Sequence, residues 1–133
     1  MGVKNTKENY VKMQDLEKLK YPIGEYIYPK KVDKAQIKLW IDLLENFPQQ
    51  LIAVTSKLTE AQLAAPYRPG GWTVRQVIHH LADSHINAYM RVKLALTEDN
   101  PIIRPYNEEV WAELPEAKNG DVSLSLKTSI AGW

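Results

Sequence analysis

The residues from Trp72 to Thr97 constrain the fold most, because they begin with a complete start signal for a long helix. Thr73 is a typical N-cap residue, Gln76 stands three residues later at the capping-box position, and Trp72 can pack against Val77. Apolar residues then recur at intervals of three and four. The pattern predicts a long α-helix that begins at Thr73 and ends near Thr97.

A second long helix is predicted earlier in the chain. Asp33 can cap it, and its apolar positions run from Ile37 to Leu58 with helical spacing. Pro48 interrupts this run, but the apolar period continues in phase across it. We therefore expect one helix over residues 33–58, kinked near the proline, rather than two separate helices.

Two short helices are predicted, one on each side of the long helix that begins at Thr73. Thr59 and Gln62 form a capping box for the first, which Pro66 should end. Asn107 can open the other, which Pro115 should close.

The remaining segments give few strand signals. A last helix is expected to begin at Asp121 or Ser123 and to continue to Trp133. The predicted fold class is therefore all-α. Residues 1–20, which mix Lys with Glu and Asp, are interpreted as a poorly ordered N-terminal extension, and residues 21–133 as one helical domain.

Composition excludes several kinds of site. The formal net charge is +1, which gives no electrostatic reason to expect nucleic acid or an anionic membrane as a partner. Cysteine is absent, so a metal would have to be held by histidine, carboxylate or water. The first twenty residues contain no apolar signal segment, and no apolar run is long enough to span a bilayer. The sequence therefore predicts a cytoplasmic protein.

All three histidines, His79, His80 and His85, fall on the helix that begins at Thr73. At about 100° per residue, His79 should point to solvent and His85 should lie near the apolar side. The polar flank is expected to contain His80, Ser84, Asn87 and Arg91, with Asp83 beside them. The apolar stripe is expected to contain Val74, Val77, Leu81, Ala88, Val92 and Ala95.

Two ligands of one metal on a helix are expected at i,i+3 or i,i+4 spacing, and His80 and Asp83, at i,i+3, are interpreted as the well-placed pair. Asp83 could be a ligand, or it could polarise a metal-bound water from outside the coordination sphere. Ser84, Asn87 and Arg91 could line a pocket and contact an anionic substrate or thiol, or form a solvated edge, as on many helices. His85 could equally be an imidazole at the edge of the core, bonded to a carbonyl.

Three stretches, "YPIGEYI", "PYRPGGWTVRQVIHHLADSHINAYMRVKLALTE" and "PIIRPYNEEVWAEL", closely resemble the DinB/YfiT-like metal-dependent hydrolases, over about Tyr21 to Leu114. The resemblance implies a four-helix bundle, usually homodimeric, that acts on a small-molecule substrate with a divalent metal, zinc or nickel. Three histidines hold this metal in the family, and His80, just before Leu-Ala-Asp, matches the first. Related bundle enzymes are metal-dependent thiol S-transferases (bacillithiol-type), so a low-molecular-weight thiol is a second candidate substrate.

This sequence departs from the family pattern at the other two ligands, which should come from an H-x-x-x-H pair on a final helix. No histidine follows His85. We therefore expect an incomplete bundle, with two long helices, short connecting helices and a truncated third bundle helix. The alternative to an enzyme is a non-catalytic helical dimerisation module, whose apolar groove needs a partner.

Overall fold

A computed structural model describes the protein over residues 16–131, and its side chains over residues 16–129. The regular structure in this range is helical, and the one β-type feature described there is an isolated bridge between Pro66 and Thr73. The all-α prediction is confirmed. Most of the predicted N-terminal extension, and the predicted end of the last helix at Trp133, lie outside the described residues.

A helical stretch over residues 16–20 precedes the longer elements. The helices that follow are α1 (Lys34–Thr55), α2 (Glu60–Leu63), α3 (Val74–Thr97), α4 (Glu108–Ala112), α5 (Pro115–Asn119) and α6 (Val122–Ala131).

The capping signals work as the sequence predicts. The Thr73 side chain accepts a hydrogen bond from the backbone N–H of Gln76 at 3.2 Å, and the Gln76 side chain accepts one from the backbone N–H of Thr73 at 2.9 Å. The Asp33 carboxylate caps α1 by accepting a hydrogen bond from the backbone N–H of Gln36 at 2.9 Å. Pro48 lies inside α1 without ending it, so the single long helix is confirmed.

The role predicted for Pro115 is wrong. Asn107 caps α4 as expected, accepting from the Val110 N–H at 3.1 Å, but this helix already ends at Ala112. Pro115 is instead the first residue of α5. Proline suits that position because the N–H that it lacks would have no partner within the helix.

α3 is the central element. It packs chiefly against α6, and also against α4 and α5. α1 packs against α6 and contacts α3 through the rings of Phe47 and His85. The buried face of α3 is formed by Arg75, Gln76, Ile78, His79 and Ala82.

This buried face lies about a third of a turn from the predicted apolar stripe, whose residues are half-buried or exposed. The prediction failed because polar residues were assigned to solvent. Gln76 Nε2 donates to the Ala112 carbonyl at 2.7 Å, and Arg75 donates to the Gly120 carbonyl at 2.6 Å. Since these hydrogen bonds satisfy the polar groups, α3 can bury them against α4, α5 and the loop before α6.

Large apolar side chains remain exposed along the second half of α3, among them Met90, Val92 and Leu96. Their exposure agrees with the apolar groove expected from the sequence, and a partner for it stays a prediction. None of the helices in the described part of the chain is long and apolar enough to cross a membrane.

Candidate functional site

His80 lies where α3 meets the segment that leads into α4. We call the partly exposed space that it shares with Trp72, Tyr106 and Glu108 the His80 cleft. Its ring centroid is 4.9 Å from that of Trp72 and 6.4 Å from that of Tyr106, and 24% of its side chain is exposed. Two aromatic rings therefore hold the imidazole in place while leaving one side open. The polar cleft and the ligand role that the sequence predicts for His80 both stay predictions.

Among the residues that the structure describes, Glu108 is the acidic group nearest to His80. The distance from His80 Nε2 to Glu108 Oε2 is 4.0 Å, which is too long for a hydrogen bond and leaves Nε2 open to another group. The Asn107 cap fixes Glu108 in the first turn of α4. Sequence reasoning missed this residue. The signal was available in "PYNEEVW", where an acidic residue follows a capping asparagine.

Asp83 stands one turn after His80 on α3 and is half-buried. Burial raises the pKa of its carboxyl group above the usual value. The nearby imidazoles of His80 and His79 oppose this rise, and the Glu116 carboxylate adds to it. Asp83 therefore lies near both histidines, and its role beside a metal ligand stays a prediction.

Tyr106 connects the groups around this cleft. Its ring centroid lies 4.7 Å from that of Trp111. Burial raises the pKa of the Tyr106 hydroxyl, the carboxylates of Glu108 and Asp83 raise it further, and Arg91 opposes them. The phenol is thus neutral near physiological pH and can donate a hydrogen bond.

The other predicted pocket residues bond mainly to their own helix. The Ser84 hydroxyl donates to the Leu81 carbonyl at 3.0 Å, and Asn87 Nδ2 donates to the Asp83 carbonyl at 2.8 Å. Arg91 is exposed. Between the two interpretations of this flank, the hydrogen bonds favour a solvated edge for Ser84 and Asn87.

The position predicted for His79 is wrong. The residue is only 7% exposed, and its Nδ1 lies 2.7 Å from the hydroxyl oxygen of Ser125 on α6. The sequence prediction placed His79 by its angle from an apolar stripe, and that stripe is not the buried face of α3. His79, which was expected in solvent, therefore lies beneath α6.

His85 matches the interpretation as an imidazole at the edge of the core. Its ring centroid lies 5.2 Å from that of Phe47 on α1. Burial lowers the pKa of His85 below the usual histidine value.

The donor set fits one part of a metal site. His80 offers an open imidazole nitrogen, and Asp83 and Glu108 offer carboxylates close to it. Within the described residues, however, no three histidine, aspartate or glutamate side chains lie close enough together to hold one metal ion. The described residues therefore do not form a complete coordination sphere, and His80 as a ligand stays a prediction.

Comparisons with known proteins agree with this fold. The family model of the DinB superfamily matches residues 43–124, which include α3 and the His80 cleft. A Bacillus pumilus protein named "Putative metal-dependent hydrolase" is 59% identical over 108 residues, which cover 81% of this chain. The Bacillus subtilis protein named "Putative metal-dependent hydrolase YfiT" is 54% identical over 108 residues, again 81% of this chain. In both cases the chain spans 61% of the relative's length.

A solved structure of YfiT from Bacillus subtilis matches with a TM-score of 0.81 and 51% identity, covering 85% of this chain and 65% of that one. It is described as "a probable metal-dependent hydrolase with an unusual four-helix bundle topology". The helices of this chain therefore have the arrangement found in that bundle, as the resemblance implied.

Proposed function

Because the chain belongs to the DinB superfamily, we propose that it is part of a metal-dependent hydrolase in which His80 is one ligand of a divalent metal. The observation that carries the proposal is the open Nε2 of His80, held between Trp72 and Tyr106 and 4.0 Å from Glu108. The relatives' names supply the reaction class and the need for a metal. Zinc and nickel are the metals proposed, because both accept imidazole ligands.

A divalent metal bound at such a site would lower the pKa of a coordinated water and so supply a nucleophile near neutral pH. The residues of this chain prepare the cleft for that chemistry. Trp72 and Tyr106 fix the plane of the imidazole and exclude water from one side of it. The Asp83 carboxylate, with its raised pKa, is better suited to accept a proton near neutrality than an ordinary aspartate. Arg91 and the Tyr106 hydroxyl are the groups proposed to contact an anionic part of the substrate.

Metal contact at His80 can be tested by NMR with nickel chloride added to the 133-residue chain. A paramagnetic ion broadens nearby signals even when it binds weakly. We expect the signals of His80, Trp72 and Tyr106 to broaden first, and His80→Gln to abolish this selective effect. His85→Gln is the matched control, because His85 packs against Phe47 instead of facing the cleft. Broadening that is unchanged in His80→Gln would refute the ligand assignment.

Hydrolysis can be assayed with ester, amide and phosphoester substrates before and after treatment with a chelator. The proposal expects slow turnover that requires zinc or nickel and His80, since the chain provides one imidazole ligand and spans 61% of its relatives' length. Turnover that persists in the chelator, or in His80→Gln, would contradict it. Metal contact at His80 without any turnover would favour the non-catalytic module.

The thiol S-transferase is the alternative within the same family. The same open nitrogen at His80 could serve a metal that binds a thiolate rather than water. Conjugation of bacillithiol to monochlorobimane, with and without zinc, separates the two reactions. Metal-dependent conjugation together with no hydrolysis would replace the hydrolase proposal by the transferase.

A homodimer is proposed from the exposed apolar residues of α3, represented by Met90 and Leu96. Light scattering during gel filtration measures the mass in solution. The proposal expects about twice the 15.2 kDa of one chain, and Leu96→Glu should shift the mass to that of a monomer.

A further inference from the structure

A second cavity, of about 300 Å³, lies beside the His80 cleft between α3, α5 and α6. His79 and Asp83 line it from α3, Glu116 from α5, and Ser125 from α6. Asp83 also lies one helical turn after His80 on α3, which places this cavity next to the His80 cleft. The volume is at the lower end of the range for small-molecule sites, enough for one polar group and a short carbon chain.

His79 lacks a hydrogen-bond partner on one side of its ring. The residue is more than nine-tenths buried, and its Nδ1 is occupied by the Ser125 hydroxyl at 2.7 Å. Its Nε2 is buried and has no hydrogen-bond partner among the described residues. Such a buried atom is energetically costly and usually indicates a bound water or ligand. Because His79 lines the cavity, a polar group inside the cavity is the natural partner.

The cavity also has two acidic side chains in its lining and no lysine or arginine among its lining residues. Asp83 and Glu116 both line it, and neither carboxylate forms a salt bridge within the described part of the chain. Two of the neighbouring cations are engaged elsewhere. Lys118 pairs with Glu113 at 2.5 Å, and Arg75 donates to the Gly120 carbonyl at 2.6 Å and pairs with Glu60. The cavity therefore favours a ligand with positive charge.

An organic cation fits better than a metal ion. No three acidic or imidazole groups in the described residues are close enough to share one metal, and these two carboxylates lie on separate helices. A primary ammonium has three N–H donors and can satisfy partners on different sides. The indole of Trp111 can interact with the positive charge through its π-system, and Leu114 and Ala117 provide apolar walls for a carbon chain.

We propose that this cavity binds the primary ammonium group of a small-molecule substrate, with Asp83 and Glu116 as its charge partners and His79 Nε2 as a hydrogen-bond acceptor. In this arrangement the Nδ1–H of His79 donates to the Ser125 hydroxyl. The assignment deepens the proposed function and rests on it, because an amine held beside Asp83 directs the rest of the molecule toward His80.

The test uses n-butylammonium chloride as the probe, with n-butanol as its uncharged match, in NMR titrations of the 133-residue chain. We expect the His79 imidazole and Trp111 indole signals to shift saturably with the amine, and n-butanol to bind about tenfold more weakly. Glu116→Gln should weaken amine binding about threefold to tenfold, as expected for one charge at a partly exposed site. Glu109→Gln, at an exposed glutamate that does not line this cavity, should leave it unchanged.

Equal binding of n-butanol, or equal amine affinity in Glu116→Gln and Glu109→Gln, would overturn the proposal. So would an absence of saturable amine binding. Nickel-induced broadening at His80 is measured on the same variants, so that the ammonium site and the metal site are tested separately. If amine binding requires Glu116 while nickel ignores His80, the ammonium site stands and the hydrolase assignment fails. If nickel requires His80 while amine binding ignores Glu116, the ammonium site fails alone.

Discussion

The Nδ1 atom of His79 lies 2.7 Å from the hydroxyl oxygen of Ser125, and this hydrogen bond joins α3 to α6 across a buried interface. It explains why one of two adjacent histidines is covered while His80 remains open to the cleft. α6 thus determines which imidazole is available for chemistry.

Ser125→Ala is expected to lower the free energy of unfolding by about 1–3 kcal/mol, because it removes the remaining hydrogen-bond partner of the buried imidazole of His79. Chemical denaturation followed by circular dichroism measures the change. Thr128→Ala is the control on the same helix, since Thr128 is exposed and bonds only to the Leu124 carbonyl. A Ser125→Ala variant as stable as the control would mean that the bond contributes nothing.

Arg75→Ala should destabilise the fold more than any substitution of its acidic partner. Arg75 is 8% exposed and donates to the Gly120 carbonyl at 2.6 Å, so the loss of a charged hydrogen bond should cost about 1.5–3 kcal/mol. The Glu60 side chain is 83% exposed, so Glu60→Gln should cost less than about 1 kcal/mol. Thermal unfolding of both variants gives the comparison. Equal losses would show that the ion pair, rather than the carbonyl contact, stabilises this junction.

Thr73→Ala tests the helix start that constrains the fold most. The variant loses the hydrogen bond to the Gln76 N–H and one half of the capping box, which should cost about 0.5–2 kcal/mol. Thr97→Ala, at the other end of α3, removes an exposed hydroxyl that bonds within its own helix and should change stability by less than about 0.5 kcal/mol. Urea denaturation midpoints report both. Similar midpoints for the two variants would argue against the cap.

How much the sequence could predict depends on whether a signal is local. The caps at Asp33, Thr59, Thr73 and Asn107 were predictable because each involves residues three apart along the chain. Pro115 was misassigned because a proline is equally compatible with the end of one helix and the first position of the next.

The candidate site was only partly predictable for the opposite reason. His80 and Asp83 share one helix, so their proximity follows from spacing. Tertiary packing brings Glu108 and Tyr106 close to His80, and Ser125 close to His79. These contacts could not be predicted, because the sequence pattern had indicated the wrong buried face for α3. The wrong buried face is also the reason why His79 was predicted to lie in solvent although it is buried.

Stability should fall as the pH is lowered through the histidine range, and His85 should contribute to the fall. Burial lowers the pKa of His85 in the folded chain below its value of 6.5 in the unfolded chain. The unfolded state therefore binds the proton first, and folding loses stability as the pH falls from above 6.5 toward the lowered folded-state pKa.

Urea unfolding between pH 7.5 and 5.5 in the presence of a chelator measures this dependence. His85→Gln should flatten it, whereas Thr97→Ala, which removes no ionisable group, should retain it. An equally steep dependence in His85→Gln would contradict the assignment.

Calorimetric titration of the 133-residue chain with zinc and nickel tests the central claim, that His80 is one ligand of a metal site which the described residues do not complete. The account predicts weak binding, with a dissociation constant of about 1 μM or higher, that is lost in His80→Ala and retained in His85→Gln. Submicromolar binding of one metal per chain, or binding unchanged in His80→Ala, would contradict it.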